Sequence, residues 1–97
     1  TSIEFTGAAI AADNTDYVTV TVAKRDGAGG GAVTLGTYDS RAANNGAVTA
    51  FTPAAFTLSV VAGALYLLET DIVTITTVKG GSGKVITGAV LINGKAI

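Results

Sequence analysis

The residue types best suited to catalysis are few in this sequence. The chain has neither histidine nor cysteine, which removes the commonest general base, a strong nucleophile and the usual zinc ligands. Glu69 and Asp71 are two residues apart, a spacing that places both carboxylates on one face of a continuous strand. Two carboxylates within so short a segment are more typical of a solvated turn than of a catalytic site. We therefore predict no catalytic residue and do not expect an enzyme.

A glycine-rich segment near the C-terminus invites comparison with phosphate-binding loops. Gly80–Lys84 reads Gly-Gly-Ser-Gly-Lys, like the end of a loop whose amides hold phosphate at a helix N-terminus. The complete motif needs glycine at the position of Val78 and serine or threonine at that of Val85. Because the following residues have a strand pattern, we predict a hairpin connection instead.

Two other polar segments offer ligand chemistry. Lys24–Gly30 combines charge with glycine, as an anion nest does, but its composition favours a solvated loop or a protein contact made by that loop. Asp13, Asn14 and Asp16 offer oxygen atoms to Ca²⁺. They lack the spacing of a calcium loop and a distal glutamate, so we predict an Asx-turn before a strand. The sequence predicts neither a metal nor a cofactor.

Charge and hydropathy narrow the classes of partner. The formal net charge is −1, and the six lysines and arginines are scattered, which leaves no basic stripe for nucleic acid. The longest apolar run, Val60–Leu68, is far too short to span a membrane. We expect no nucleic-acid partner and no membrane insertion. Since Thr1 stands where an initiator methionine would, we also expect a processed or trimmed start.

Period-two alternation of threonine and valine predicts strands along most of the chain. The clearest strand is 16–24, in which Val18, Val20 and Val22 point to one face. The predicted strands are 2–10, 16–24, 32–38, 48–51, 56–61, 66–68, 71–79 and 85–93, where 56–61 and 66–68 are either two short strands or one bent strand. Pro53 argues against a helix in the alanine-rich region. We predict an all-β protein, an antiparallel, jelly-roll-like β-sandwich of about seven to eight short strands, as a single domain over residues 1–97.

The aromatic residues have two possible uses. A sugar-stacking or base-stacking platform is one. The chain has no tryptophan and no basic groove, so core packing, with some tyrosine at an interface, is the better prediction. The residues concerned are Phe5, Tyr17, Tyr38, Phe51, Phe56 and Tyr66.

The segment Asn14–Gly30 resembles one that is common in small virion proteins of tailed bacteriophages. It reads Asn-Thr-Asp-Tyr-Val-Thr-Val-Thr-Val-Ala-Lys-Arg-Asp-Gly-Ala-Gly-Gly and is similar to capsid decoration, or cement, proteins and related head or tail proteins. The similarity continues more loosely through 50–51, the strand around Leu58, 71–74 and 80–83. It departs at Glu69-Thr70-Asp71, where the family would have Ala-Gly-Asp.

The resemblance implies a virion protein on the outer capsid surface that bridges subunits of the major capsid protein. It also implies a homo-oligomer, often a trimer. A small core without catalytic groups suits a domain whose stability is shared with its partners. The residues expected to make protein contacts are Ile3 and Phe5 in the first strand, Lys24, Arg25 and Asp26 at the glycine loop, and Tyr38 and Arg41 after the third strand.

Other functions fit the same fold. A virion adhesion or carbohydrate-binding module is the main alternative, and a tail or fibre structural component is another. Clustered exposed aromatic side chains would favour adhesion, whereas buried tyrosines and a flat, self-complementary edge would favour decoration. Exposed edge strands are also expected to recruit a neighbour by strand addition.

Overall fold

A computed structural model describes residues 2–94, which form seven strands and no helix. The strands are β1 (Ser2–Gly7), β2 (Tyr17–Arg25), β3 (Val33–Asp39), β4 (Ala54–Ala55), β5 (Thr57–Leu58), β6 (Ile72–Gly80) and β7 (Gly88–Asn93). Over this range no helix is long and apolar enough to cross a membrane.

The strands form two antiparallel sheets, as an antiparallel β-sandwich requires. The small sheet has the order β4-β1-β7, and the large sheet has the order β5-β3-β2-β6. In the small sheet β1 pairs with β7 along its whole length, from Ser2 opposite Asn93 to Gly7 opposite Gly88. The predicted all-β antiparallel fold is confirmed.

The inner face of the large sheet is built on β2. Its burial alternates strictly through Val18, Val20 and Val22, which are buried, while the intervening residues are half-buried. This is the pattern of a strand with one face toward the core, and it confirms the predicted orientation. Two β-sheet partners flank β2, with β3 on one side and β6 on the other.

A β-bulge in β3 lies where the two sheets approach each other closely. The pairing of β2 with β3 shifts register between Val22 and Ala23, which leaves Leu35 as an extra residue on β3. Such a bulge bends the strand and re-aims side chains, and here both Leu35 and Gly36 are buried. A Cβ at Gly36 would lie 3.1 Å from Cδ1 of Ile3 in the small sheet, so glycine suits this close approach.

The core lies between the two sheets and is closed on one side by Phe56. The buried cluster consists of Ile3, Phe5, Ile10, Val20, Val22, Leu35, Tyr38, Val48 and Phe56. Because β4 belongs to the small sheet and β5 to the large one, the chain crosses between sheets at Phe56. Its ring packs against Tyr38 with the centroids 5.7 Å apart.

Three strand predictions in the first two-thirds of the chain differ from the structure. The first strand ends at Gly7, and only an isolated bridge joins Ile10 to Val48. The predicted strand 48–51 is wrong, because the chain turns at Phe51, which has a positive φ of 55°. Residues 59–68 are irregular apart from the inward turn at Ala64, so 66–68 is not a strand.

The predicted hairpin after β6 is also wrong. The chain turns at 80–83, where the Gly83 amide donates to the carbonyl oxygen of Gly80 (3.0 Å). It then crosses to the other sheet, since β6 pairs with β2 and β7 pairs with β1. Val90 and Ile92 of β7 pack against the core, and the burial of these apolar side chains beside β1 stabilises the crossing.

Candidate interaction surface

Three of the seven predicted contact residues have side chains in the core. Ile3, Phe5 and Tyr38 expose only 2%, 3% and 4% of their surface. The Tyr38 hydroxyl donates to the carbonyl oxygen of Gly46 (2.8 Å), and burial raises its pKa. The prediction of contacts through these three side chains is corrected, because a partner reaches them only if the sheets separate.

Lys24 is committed to a contact within the chain. It ends the inward series of β2, and its ammonium group donates to the carbonyl oxygens of Gly63 (3.2 Å) and Tyr66. Both acceptors belong to residues 59–68, which connect β5 to β6 and which we call the apolar loop. Lys24 therefore positions this loop over the end of the sheet.

The glycine loop after β2 is ordered by its own aspartate. The Asp26 carboxylate accepts hydrogen bonds from the amides of Ala28 (2.9 Å) and Gly30 (3.0 Å). Arg25 reaches the carbonyl oxygen of Gly29 at 3.2 Å. Because the carboxylate occupies the amides that would form an anion nest, the loop has little capacity left for an external anion.

Arg41 lies in a stacked cluster at the opposite end of β2. Its guanidinium donates to the Asp39 carboxylate at 2.5–3.1 Å and lies 4.3 Å from the ring centroid of Tyr17. The Tyr17 ring in turn covers Gly80, where a Cβ would overlap it. The hydrogen bonds from Arg41 hold the pKa of Asp39 below its ordinary value. Arg41 is thus a structural residue with one exposed edge.

The predicted charged residues lie at opposite ends of β2. Arg41 lies beside Tyr17 at the first position of β2, whereas Arg25 is at its last position. A strand of this length separates the two by about 26 Å. The predicted contact residues therefore do not form one compact cluster in the structure.

The loop before β2 is joined to the turn after β6. Asp13 forms the predicted Asx-turn, accepting from the amides of Thr15 (2.8 Å) and Asp16 (3.1 Å), and these bonds lower its pKa. Asp16 accepts from the Ser82 amide at 2.8 Å. With the Ser82 and Gly83 amides already bonded, the turn is not arranged as a phosphate cradle.

Sequence reasoning missed the main surface feature, which is apolar. Residues of the apolar loop are largely exposed, with Val60 at 98% and Leu68 at 74%. Four apolar residues of β6 are exposed as well, namely Ile72, Val73, Ile75 and Val78. The adjacent apolar pairs Val60-Val61 and Leu67-Leu68 could have indicated this exposed surface. Successive side chains of a half-buried strand point to opposite faces, so one member of each pair would be left in solvent.

A shallow groove of about 530 Å³ lies between β6 and residues 81–87, the segment that crosses to the small sheet. Its lining residues are Val18, Thr77, Lys79, Lys84 and Ile86. Lys84 forms an ion pair with Asp13 at 3.5 Å. The other lysine of the groove is Lys79, and Val18 and Ile86 make part of its lining apolar. Among residues 2–94 no group of three or more acidic, histidine or cysteine side chains converges as metal ligands would.

Comparisons with known proteins add no relative. No family model, curated protein or solved structure matches the chain.

Proposed function

We propose that the chain is a structural virion protein, a capsid decoration protein that binds the outer surface of a bacteriophage shell and bridges neighbouring coat subunits. The observation that carries the proposal is the amount of apolar side chain left exposed. Thirteen large hydrophobic residues are exposed in the described chain, against eleven buried hydrophobic residues. Apolar surface on this scale is typical of a protein that functions in contact with other protein.

The apolar loop is the proposed coat-binding surface. Val60, Val61 and Leu68 are exposed there, while Lys24 holds the loop in place through two backbone carbonyls. A fixed apolar protrusion binds with a smaller loss of entropy than a mobile one. The apolar loop thus supplies the hydrophobic centre of the contact, and the glycine loop that contains Asp26 supplies its polar rim.

The resemblance supports the same proposal from the sequence. The segment Asn14–Gly30 coincides with the Asx-turn, β2 and the glycine loop. These elements set the inner face of the large sheet and present the apolar loop. Copies bound around the shell act additively, since each buries modest area across a joint between subunits and many joints resist internal pressure together.

Co-sedimentation with bacteriophage capsids that lack decoration protein tests the proposal. We expect saturable binding at a fixed ratio of this chain to coat subunits, together with a higher temperature of capsid disruption. Absence of binding to capsids whose coat protein is encoded with this chain contradicts the proposal.

A paired set of variants locates the contact. Val60→Asp combined with Leu68→Asp places two carboxylates on the apolar loop, and we expect at least a tenfold loss of capsid affinity, since burying one such side chain is worth about 1.5–3 kcal/mol. Ala11→Asp combined with Thr49→Asp makes the same charge change at exposed positions outside the loop. Equal binding by both variants would move the contact to another surface.

A carbohydrate-binding role has weaker support from the aromatic residues. Tyr38 is buried, Tyr17 lies beneath Arg41, and Phe56 closes the core. Phe51 and Tyr66 are exposed but belong to different loops. Retention on a glycan array without capsid binding would nevertheless establish the adhesion alternative.

A further inference from the structure

Strand β6 is a long sheet edge that the described chain leaves uncovered. It pairs with β2 on one side and has no strand on the other within residues 2–94. Seven of its nine residues are exposed. An unpaired edge presents a row of free N–H and C=O groups that can pair with another strand.

The other edge strands are shorter than β6: β7, at the far edge of the small sheet, has six residues. β4 and β5 contain two residues each, and short edges are one of the means by which proteins avoid edge association. β6 has nine residues, no proline and a register with β2 that runs without a bulge from Tyr17 opposite Gly80 to Arg25 opposite Ile72. Its one charged residue, Lys79, lies next to its end.

We propose that β6 pairs antiparallel with β6 of a second copy of this chain, about a twofold axis through Ile75. In this arrangement Ile75 faces Ile75 of the second copy, and the two four-stranded sheets become one continuous sheet. The pairing is isologous, so it closes at two copies and uses up both edges. The inference concerns the chain alone and does not depend on what the protein binds.

The inner faces of the two strands are complementary in this register. Ile75, Thr77 and Lys79 lie opposite Val22, Val20 and Val18 of β2 and so share the inward side. Twofold symmetry places Val73 opposite Thr77 of the second copy, and brings Lys79 level with Asp71 of the second copy. Opposite charges and apolar pairs directly across an antiparallel ladder are stabilising.

The outer faces are complementary too. Ile72 faces Val78 of the second copy, and Thr74 faces Thr76. Threonine pairs and β-branched pairs are among the favourable cross-strand combinations. Ile72 and Val78 are exposed in the single chain, so pairing removes apolar surface from water on this face as well.

Neighbouring registers are poorer. Shifting the axis to Thr76 sets Lys79 against Val73 of the second copy and Ile72 against Gly80. Shifting it to Thr74 shortens the paired segment to 72–76 and leaves Val78 outside the ladder. An axis between two residues, such as Ile75 and Thr76, would pair inner-face with outer-face residues, so the inner faces of the two sheets would point in opposite directions. The sequence of β6 therefore selects the axis at Ile75.

The first test is the concentration dependence of the molar mass of the purified protein, by light scattering and sedimentation equilibrium. We expect a monomer–dimer equilibrium for the natural chain. Ile75→Lys, which sets two ammonium groups against each other at the axis, is expected to weaken dimerisation at least tenfold. The matched control is Leu91→Lys on β7, since Leu91 and Ile75 are 55% and 53% exposed, and it should leave the dimer unchanged.

The second test reports the register directly and exploits the absence of cysteine from the chain. Single-cysteine variants Val73→Cys, Ile75→Cys and Thr77→Cys are oxidised under identical conditions. Only at position 75 does a residue face its own copy at a distance that a disulfide spans, so we expect Ile75→Cys to cross-link at least ten times faster than the other two.

A strictly monomeric protein up to millimolar concentration overturns the proposal. A trimer also overturns it, as does a dimer that Ile75→Lys and Leu91→Lys weaken equally. Equal cross-linking rates at the three cysteine positions would contradict the proposed register. Circular dichroism of each variant distinguishes loss of pairing from loss of the fold.

Discussion

At the scale of single residues, polar groups near the core are satisfied by neighbours in the same chain. Ser40 has no exposed surface, and its hydroxyl accepts from the Val18 amide at 3.0 Å. Asp26 occupies the amides of its own loop, and Lys24 holds the apolar loop. Residues that looked suited to partner binding because they are charged or aromatic are therefore largely engaged in structure.

Ser40→Ala tests whether the hydrogen bond to this buried hydroxyl stabilises the fold. The substitution leaves the amide of Val18 without its acceptor inside the sandwich, and an unsatisfied buried donor costs about 1–3 kcal/mol. We expect the free energy of unfolding, measured with urea, to fall by that amount. Ser59→Ala is the control, because the Ser59 hydroxyl accepts from the amide of Val61 at an exposed site. Equal losses in the two variants would contradict the prediction.

At the scale of elements, the pairing of β1 with β7 depends on a close backbone approach. Gly7 and Gly88 lie directly opposite each other at one end of the ladder. A Cβ on Gly7 would overlap the carbonyl oxygen of Thr87 and the Cα of Gly88. The obstacle is backbone rather than a mobile side chain, so it does not rotate away.

Gly7→Ala is accordingly expected to destabilise the protein by about 1–3 kcal/mol, the usual effect of overpacking. Thermal and chemical unfolding measure it. Gly94→Ala provides the comparison, since a Cβ at Gly94 meets nothing within 4 Å and should change stability by less than about 0.5 kcal/mol. A tolerated Gly7→Ala would show that the ladder opens at this end.

The elements that could be predicted from sequence are those with strict alternation. β2 was located to within one residue at each end because valine and threonine alternate through it. The crossing after β6 and the loss of strand 48–51 could not be foreseen, since both depend on which sheet buries the next apolar residues. Local turn chemistry at Gly80–Gly83 is the same in a hairpin and in a crossing. The Asx-turn at Asp13 was predictable because it depends on neighbouring residues alone. The exposed edge of β6 was not, because it depends on the order of the strands in the sheet.

At the scale of the whole molecule, two aspartates make stability sensitive to acid. Hydrogen bonds from Arg41 lower the pKa of Asp39, and backbone amides lower that of Asp13, in each case from an ordinary value of 3.8. A carboxyl whose pKa is depressed by folding stabilises the fold above its unfolded pKa, and this contribution is lost as the pH falls through the folded value.

We therefore expect the free energy of unfolding to be level near neutral pH and to decline below about pH 4. The variant with Asp13→Asn and Asp39→Asn should be less stable at pH 7 and show a shallower decline in acid. Urea titrations from pH 2 to pH 7 compare the two proteins. An identical acid slope in both would assign the pH dependence to other groups.

The register of β1 and β7 has a mechanical consequence. Ser2 lies opposite Asn93, so the two ends of the described chain emerge side by side from the same end of one antiparallel pair. Tension applied between these ends meets the ladder bonds one at a time and opens the pair like a zipper. Tension along the long strands of the large sheet would instead shear many bonds at once. A protein that reinforces a pressurised shell would therefore have to bear force through the faces and edges of its sheets rather than through these two ends.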